Sequence, residues 1–336
     1  MSPVGLGAGG AVGIALETAA APGTFVPPTV WVPITSESFN YQEERYFSEA
    51  IRQLTINQMA KQGYYNIEGD ISLEVDTRLL PYFLYASRLS AVKVGAGSPW
   101  TYTFTPSSGA QIPATNRTMS IAIQRSGVWF GYSGCVVTSI EFTIDTGVMR
   151  ANLHVIGLAD IPAATVGSPT PTFTAPQLMG ADAHTISVGD NALLTPVSGA
   201  AAMTGATADL TWNGFTYTLN DNGAAQHRIN QSRAAAYISM GITEAQVTSS
   251  LDFLSRVEYD KFVATTQKRL QCLSSNGAND KLAINVYNAV YEAYNVDLGS
   301  WGDIVMADTT FHIIASGGAN PPTDVVVVST ASIIPT

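Results

Sequence analysis

Apolar and polar residues alternate strictly between positions 67 and 76, which predicts an extended strand. Because successive side chains of a strand point to opposite faces, one face is apolar and the other is polar and acidic. The apolar set is Ile67, Gly69, Ile71, Leu73 and Val75, and the polar set is Glu68, Asp70, Ser72, Glu74 and Asp76. A short helix is expected to follow, opened by Asp76 or Thr77, with an apolar stripe at Leu80, Phe83 and Leu84.

The segment 34–88 is repeated, in diverged form, at 210–266. Phe39 and Tyr41 match Phe215 and Tyr217 at a spacing of 176, Leu73 and Val75 match Leu251 and Phe253 at 178, and the helix positions match at 179. In the second copy Ser255 and Glu258 predict a capping box, with a stripe at Tyr259, Phe262 and Val263. Residues 282–286 are expected to match 119–123, and Phe311-His312 to match Leu153-His154. The central prediction is two copies of one unit in a single chain.

The pattern divides the chain into five segments. Residues 1–30 are a Gly-, Ala- and Pro-rich arm, 31–160 the first unit, 161–208 a linker with the leading strands of the second unit, 209–316 the second unit, and 317–336 a tail. A strand from Asp324 to Ser329 is expected to complete its own sheet or a neighbour's. Residues 44–65 have no clean period and are predicted to form a long loop. The predicted fold class is mainly β, with one short packed helix in each unit.

Composition and charge narrow the function. Charged residues make up 12% of the 336, and the formal net charge is −10. A surface that grips nucleic acid needs clustered Lys and Arg, so we expect at most a surface that DNA passes without sticking. No run approaches the roughly 20 apolar residues of a membrane helix. The first basic residue is Arg45, so the basic start of a signal peptide is absent and cytoplasmic synthesis without secretion is expected.

Candidate chemistry is sparse along the chain. No catalytic motif, metal-ligand spacing or cofactor loop is found, so no enzyme activity, metal or cofactor is predicted. Cys135 and Cys272 are expected to be buried free thiols. His154 and His312 occupy matching places in the two copies, which indicates a structural role.

The remaining candidates are carboxylates. Glu68, Asp70 and Glu74 share one face of a strand, and Asp252 takes the place of Glu74 in the second copy. Paired carboxylates can act as acid and base on sugars, but a strand spaces them about 7 Å apart, which favours a charged wall. The face is either a solvated outer surface or an acidic surface turned toward something that it repels.

The opening of the chain resembles that of a known family. Tail tube proteins of long-tailed, non-contractile bacteriophages carry Glu-Thr, Gly-Thr and Pro, followed by Pro-x-Thr-Ser-Glu-Ser. The matching residues here are Glu17, Thr18, Gly23, Thr24 and Pro28, then Pro33, Thr35, Ser36, Glu37 and Ser38. The resemblance implies two tandem β-sandwich or half-barrel units, each with one helix packed outside. Such units close into a ring whose bore is lined by a continuous β-barrel.

The resemblance also implies partners and a location. Three duplicated chains would form a pseudo-sixfold ring, with a true hexamer as the alternative. Rings would stack helically into a hollow tube that conducts double-stranded DNA without specific binding, and Glu68, Asp70, Glu74 and Asp252 would face the lumen. Tail tip, terminator and tape measure proteins are the other expected partners, and no membrane is expected. The protein would belong to the virion tail after synthesis in the bacterial host cytoplasm.

Other interpretations remain open at this point. A carbohydrate- or receptor-binding β module of a tail fibre or cell surface would be a discrete particle with an exposed aromatic cleft. A glycan hydrolase would need a focused acid–base pair, which the sequence does not offer. A contractile-tail tube would differ from the first interpretation by the sheath that coats it.

Overall fold

Strands make up most of the chain that can be described, and the helices are short, which confirms the prediction of a mainly β fold. The computed structural model describes residues 10–47, 60–106, 117–145, 147–190, 200–203, 206–209, 211–229, 232–297, 304–315 and 321–332. Within these ranges the strands pair with one another in antiparallel ladders.

The elements of the first half end just before a Pro- and Thr-rich linker. In chain order they are β1 Ala11–Leu16, β2 Val30–Val32, β3 Ser36–Glu37, β4 Asn40–Phe47, β5 Ala60–Glu74, α1 Leu80–Tyr85, β6 Ser90–Val94, β7 Trp100–Thr105, β8 Met119–Arg125, β9 Val128–Ile144, β10 Arg150–Gly157, β11 Ala159–Ile161 and α2 Ala163–Val166. The second half opens with a 3-10 turn at Ala181–Ala183. It continues with β12 His184–Asp190, β13 Thr207–Ala208, β14 Phe215–Asn220, β15 Ala224–Gln226, β16 Tyr237–Ser239, β17 Glu244–Asp252, α3 Val257–Val263, β18 Lys268–Ser275, β19 Lys281–Asp297, β20 Met306–Ile313 and β21 Thr323–Ser329.

Two groups of strands share one order of pairing. In the first group β4 pairs with β5, β5 with β10, β10 with β9, β9 with β8, and β8 with β1. In the second group β14 pairs with β17, β17 with β20, β20 with β19, β19 with β18, and β18 with β12. Each group carries its helix directly after β5 or β17.

Strand register and β-bulges fix which residues correspond in the two groups. β9 has one extra residue opposite His154 and Val155, and β19 has one opposite Thr310 and Phe311. Leu73 faces Ala151 and Leu251 faces Ala307, so β5 and β17 correspond at a spacing of 178. The same spacing relates β4 to β14. The spacings of the other strand pairs are 154 for β9 and β19, 156 for β10 and β20, 149 for β8 and β18, and 174 for β1 and β12.

The two groups join edge to edge within one chain. β9 pairs on its second side with β14, which places Phe142 opposite Tyr217 and Ile140 opposite Leu219. One continuous run of strands results, in the order β4, β5, β10, β9, β14, β17, β20 and β19. A second link is the terminal strand β21, which lies between β19 and β7. The predicted terminal strand therefore completes a sheet of its own chain.

The core lies on one side of this run. Its buried side chains include Phe39, Leu73, Phe142 and Tyr217, and they belong to one hydrophobic cluster with β1 and β8. Helix α1 buries the predicted stripe of Leu80, Phe83 and Leu84. Helix α3 packs Tyr259 and Phe262 against Tyr294. Val263, the third predicted stripe residue of α3, is instead 64% exposed.

Both helix starts differ from the prediction. α1 begins at Leu80, after a turn in which the Asp76 carboxylate accepts hydrogen bonds from the backbone and guanidinium of Arg78 and the Asp76 backbone oxygen accepts one from Leu80 N. α3 begins at Val257, and the predicted capping box of Ser255 and Glu258 is absent. The Glu258 carboxylate accepts hydrogen bonds from Lys261, Lys268 and Tyr291 instead. These charge-assisted hydrogen bonds occupy the Glu258 carboxylate, so it does not cap the helix backbone.

Two segments that were predicted to be irregular contain strands. Within the predicted arm 1–30, β1 buries Val12 and Ile14 and pairs with both β2 and β8. The Ala and Gly residues between them conceal its period. The predicted loop 44–65 is instead the far end of the β4–β5 hairpin, with residues 48–59 outside the described part. Polar residues occupy both faces there, and part of the hairpin packs against the polar side chain of Arg233, which donates to Gly63 O and to Gln62. The two-residue apolar period is therefore lost.

Several predicted residue matches are shifted. The registers place Tyr217, rather than Phe215, at the position of Phe39. β18, rather than residues 282–286 of β19, corresponds to β8. His154 corresponds to Thr310, so it is not the counterpart of His312. Apolar residues recur every two positions along each strand, so a match shifted by two residues fits the apolar pattern equally well, and only the strand pairing fixes the register.

Candidate functional site

The solvent side of the eight-strand run is polar and acidic, and we call it the acidic face. Its carboxylates lie on β5 and on four other strands. They are Glu68, Asp70 and Glu74 of β5, Glu141 of β9, Glu244 and Asp252 of β17, Asp308 of β20, and Glu292 and Asp297 of β19. On β5, β10, β14, β17, β20 and the paired ends of β9 and β19, the Lys and Arg residues of this face in the described part are Arg150, which lies opposite Glu74, and Lys61 at the far end of β5, which lies opposite Tyr46 of β4.

Cross-strand contacts tie the acidic face together. The Nδ1 atom of His154 lies 2.8 Å from Oδ1 of Asp70 on the neighbouring strand. The Ser72 hydroxyl donates to Asn152 at 2.9 Å, and the amide of Gln246 donates to Glu292 at 3.2 Å. The first two contacts join directly opposed residues of the adjacent strands β5 and β10. Gln246 of β17 reaches Glu292 of β19 across the intervening strand β20. Asp70 and His154 nevertheless remain 50% and 38% exposed, so the face is open to solvent.

The structure brings all four predicted acidic residues onto this one face. Glu68, Asp70 and Glu74 alternate with buried Ile67, Ile71 and Leu73 along β5, as the pattern predicted. Asp252 is the counterpart of Glu74, since both follow corresponding leucines, and it accepts a hydrogen bond from Asn213.

Sequence reasoning missed the other five acidic residues. Glu141 stands between Ile140 and Phe142, which are buried, so alternation was available to find it. Asp308 gave a weaker signal, because its neighbours are the small Ala307 and the polar Thr309. Glu292 is the bulge residue of β19, and no pattern assigns a bulge residue to a face.

The acidic face offers charge rather than a reactive centre. In the ranges that the structure describes, no three His, Cys, Asp or Glu side chains lie close enough to hold a metal ion. The carboxylates are spread over several strands, whereas acid–base chemistry on sugars needs two that converge on one bond. Cys135 and Cys272 are buried free thiols, as predicted, and burial raises the pKa of Cys272 to about 12. Neither thiol is therefore a nucleophile at neutral pH.

Comparison with known families adds a decisive observation. A family model described as phage tail tube protein matches residues 7–313. The chain belongs to the phage tail tube protein family. It is thus a structural protein of the tail tube, which assembles with itself and with other tail proteins in the virion tail. No curated protein matches the chain. Among the residues described, no helix is long and apolar enough to cross a membrane.

The two glutamates that carried the resemblance to tail tube proteins are structural. The Glu17 carboxylate is 7% exposed and accepts hydrogen bonds from Gly23 N at 2.6 Å and from Thr118 Oγ1 at 2.6 Å. It thereby fastens the loop after β1 onto β8. Glu37 forms a salt bridge of 2.6 Å with Arg125 and also accepts a hydrogen bond from the backbone of Phe39. Charge-assisted bonds of this kind hold irregular backbone firmly.

The two ends of the eight-strand run are unpaired edges of this tail tube protein. Within the described part, β4 pairs only with β5, and residues 290–297 of β19 pair only with β20. Their counterparts in the chain are β14 and the end of β9, which pair with each other. Val296 is 40% exposed at the open edge, whereas its counterpart Phe142 is fully buried at the internal junction.

Proposed function

We propose that copies of this chain close into a ring by repeating, between copies, the junction that joins β9 to β14 within one copy. The observation that carries the proposal is that the two open edges, β19 and β4, are the counterparts of the two strands already paired at that junction. An open strand edge is a template for pairing, and ring closure satisfies every edge at once.

Transferring the internal register to the edges gives a specific contact between copies. Ile140 lies opposite Leu219 within the chain, and their counterparts are Tyr294 and Tyr41. Tyr41 of one copy therefore lies opposite Tyr294 of the next, and Asn40 lies opposite Asn295. In this arrangement the acidic face of every copy continues into that of its neighbour.

Three copies close the ring, because each supplies two of six equivalent segments. The two proposed units are residues 31–160, to which β1 adds an inner strand, and 209–316, which is led by β12 and β13 from the segment 161–208. Residues 317–336 form the tail that contains β21. A heterologous contact that closes by rotation gives a ring of this kind.

The acidic face then lines the bore through which double-stranded DNA moves. Lys and Arg that neutralise phosphates would bind the DNA and slow it. Carboxylates instead repel it weakly, over roughly 8 Å at physiological salt, and this keeps it centred. Rings stack helically in a long, non-contractile tail between tip, terminator and tape measure proteins. The chain is made in the host cytoplasm and has no catalytic role.

Electron microscopy of the purified protein at high concentration tests this function. Hollow tubes should appear, and end-on views should show a near-sixfold ring that refines to threefold symmetry. Tubes of true sixfold symmetry would keep the function and refute the three-copy ring. A field of single particles, even after addition of a tail-tip complex as a nucleus, would contradict the proposed assembly.

A further inference from the structure

The ends of β5 and β17 are built alike but covered differently. Thr35 N donates to Ser72 O at 2.8 Å, and the corresponding bond from Asn213 N to Ser250 O is also 2.8 Å. Val75 N donates to Met149 O at 3.0 Å, and the corresponding bond from Phe253 N to Val305 O is 2.9 Å. The backbone frame is therefore the same at both places.

In the first half, linker residues 175–179 cover this frame. Arg78 donates to Ala175 O at 2.6 Å, Gln177 N donates to the Asp76 carboxylate at 3.0 Å, and Met149 N donates to Met179 O at 3.2 Å. Met179 is fully buried in the main hydrophobic cluster. Beneath Pro176 and Leu178 only a small cavity of about 50 Å³ remains.

In the second half none of the described residues covers the corresponding frame as residues 175–179 do in the first. A cavity of about 570 Å³ lies there, and its lining includes Thr211, Trp212, Asp252, Leu254 and Val257. These are the counterparts of Pro33, Ile34, Glu74, Asp76 and Leu79, which line the small cavity. Leu254 and Val257 line this cavity and are 77% and 57% exposed, whereas Asp76, the counterpart of Leu254 in the first half, is buried. Exposed apolar side chains beside one cavity indicate an interaction site.

The sequence contains a second segment that resembles the covering linker. Residues 176–180 read Pro-Gln-Leu-Met-Gly, and residues 3–7 read Pro-Val-Gly-Leu-Gly. Pro, an apolar residue and Gly recur at the first, fourth and fifth places. Residues 176–180 lead into β12, and residues 3–7 lead into β1, the counterpart of β12. The lining of the cavity also includes Asp190, Glu258, Lys261 and Lys268, which form salt bridges with one another. Residues 2–16 carry no charged side chain, so they bring no unpaired charge to this lining.

We infer that residues 3–7 of the next copy in the ring occupy the cavity at Leu254, as linker residues 176–180 occupy its counterpart within one chain. This rests on the proposed ring: the copy that supplies the segment is the one whose β4 pairs with β19. Leu6 packs where Met179 packs in the first half, over Val305, and Val4 lies beside Leu254 as Gln177 lies beside Asp76. Residues 3–7 are outside the described part of the chain, and the cavity lining defines the site.

Crosslinking between two singly substituted chains tests the inference directly. Val4→Cys chains and Leu254→Cys chains are mixed, each diluted about tenfold into unmodified chains so that assembly is preserved, and treated with a short bis-maleimide. The native Cys135 and Cys272 are fully buried and do not interfere. Tubes should give a crosslinked dimer, and unassembled chains should not. Val94→Cys, which is 60% exposed but distant in sequence from the cavity, replaces Leu254→Cys as the control and should give no dimer with Val4→Cys.

Alkylation of Leu254→Cys provides a second, independent measurement. Its thiol should react at least tenfold more slowly in tubes than in free chains, and Leu6→Asp in the neighbouring copies should restore the fast rate. Tubes that form without the dimer, or protection that Leu6→Asp leaves unchanged, would overturn the inference and leave the tube function intact. A crosslink found only within one doubly substituted chain would also overturn it. Failure of the unmodified chain to form tubes bears on the proposed function instead.

Discussion

The two halves of the chain share one backbone arrangement, but the side chains beneath the helix are apolar in the first half and mostly charged in the second. In the first half they are Leu16, Leu80, Met119 and Val137, all apolar. In the second half the counterparts are Asp190, Glu258, Lys268 and Tyr291. The Lys268 ammonium is 1% exposed and lies 2.6 Å from Asp190 and 2.7 Å from Glu258. The Tyr291 hydroxyl donates to Glu258 at 2.7 Å.

This difference shows that strand pairing, rather than core composition, defines the unit. A buried charge is tolerated only when partners surround it. Burial alone would raise the pKa of Asp190, but hydrogen bonds from Lys261 and Lys268 outweigh burial and lower that pKa. The same balance, with Tyr291 as a further donor, lowers the pKa of Glu258. The second half has therefore replaced an apolar cluster with a complete ionic one.

The largest expected effect comes from placing a lysine ammonium in the apolar cluster of the first half, without the carboxylates that pair with Lys268 in the second. Met119→Lys buries a cation among Leu16, Leu80 and Val137, while the nearby Glu17 carboxylate is already bonded to Thr118 and Ser120, so the free energy of unfolding should fall by at least about 4 kcal/mol. Urea unfolding of free chains measures the loss. Met119→Leu is the control and should cost less than about 1.5 kcal/mol. A stable Met119→Lys chain would show that the two interiors are interchangeable.

The internal junction and the open edge should respond oppositely to the same truncation. Phe142→Ala removes a fully buried ring at the junction and should destabilise the free chain by about 3–5 kcal/mol. Val296→Ala at the open edge should cost the free chain less than about 1 kcal/mol. Val296→Asp should leave the free chain folded but prevent tube assembly, which sedimentation and electron microscopy would detect. Normal tubes from Val296→Asp would argue against pairing between β19 and β4.

Removing the buried ammonium should cost about 3 kcal/mol, because Asp190 and Glu258 then lose the buried one of their two lysine partners. The variant is Lys268→Met, which copies Met119. Lys261→Met is the matched control, since Lys261 bonds to the same two carboxylates but is 26% exposed, and should cost about 1 kcal/mol or less.

The ionic cluster also gives stability a defined dependence on acid. The carboxyl pKa values of the cluster are lowered in the folded state. The contribution of the cluster to the free energy of unfolding is therefore complete above the ordinary pKa near ~4, and it is lost as the pH falls through the lowered values. Lys268→Met should therefore flatten the loss of stability below about pH 4. An unchanged acid profile would mean that other carboxylates dominate acid unfolding.

A second buried acid should act in the opposite direction. Burial raises the pKa of Asp324 to about 6, although Asn285 and Tyr287 donate hydrogen bonds to it. Because the folded pKa exceeds the unfolded pKa near ~4, this residue lowers stability as the pH rises from about 4 to about 6. Asp324→Asn should remove that slope and equal or exceed the original stability at pH 7, as urea unfolding across this range would show.

The smallest effect on stability is expected on the acidic face. Reversing Glu68, Asp70, Glu74 and Asp252 to Lys should change the free energy of unfolding little, since these side chains are solvated, and tubes should still assemble. DNA ejection from particles with these tubes should be slower, because the bore would now attract phosphate. The Gln and Asn replacements at the same four sites are the control for size. Unchanged ejection with the Lys variants would place this face outside the bore.

Regular alternation let the sequence predict β5, the terminal strand and the four acidic residues. The repeat was also visible, but its register was not. The strand pairing matches Phe39 to Tyr217 and His154 to Thr310, each two residues from the predicted partner, and a shift of two residues leaves an alternating pattern unchanged. β1 was not predicted because Gly and Ala alternate with its larger apolar residues. Glu292 was not assigned to the acidic face because the alternation of a strand does not assign a bulge residue to either face. The ionic cluster was hidden because its members are far apart in sequence.

The position of β21 has a consequence for the order in which a subunit matures on the ribosome. Residues 323–329 are the last of the described strands to be synthesised, yet they lie between β19 of the second half and β7 of the first. Until they emerge, both of those strands present an unsatisfied ladder. A nascent chain thus lacks the strand that locks its halves together, and a subunit gains its final shape only when translation has passed residue 329.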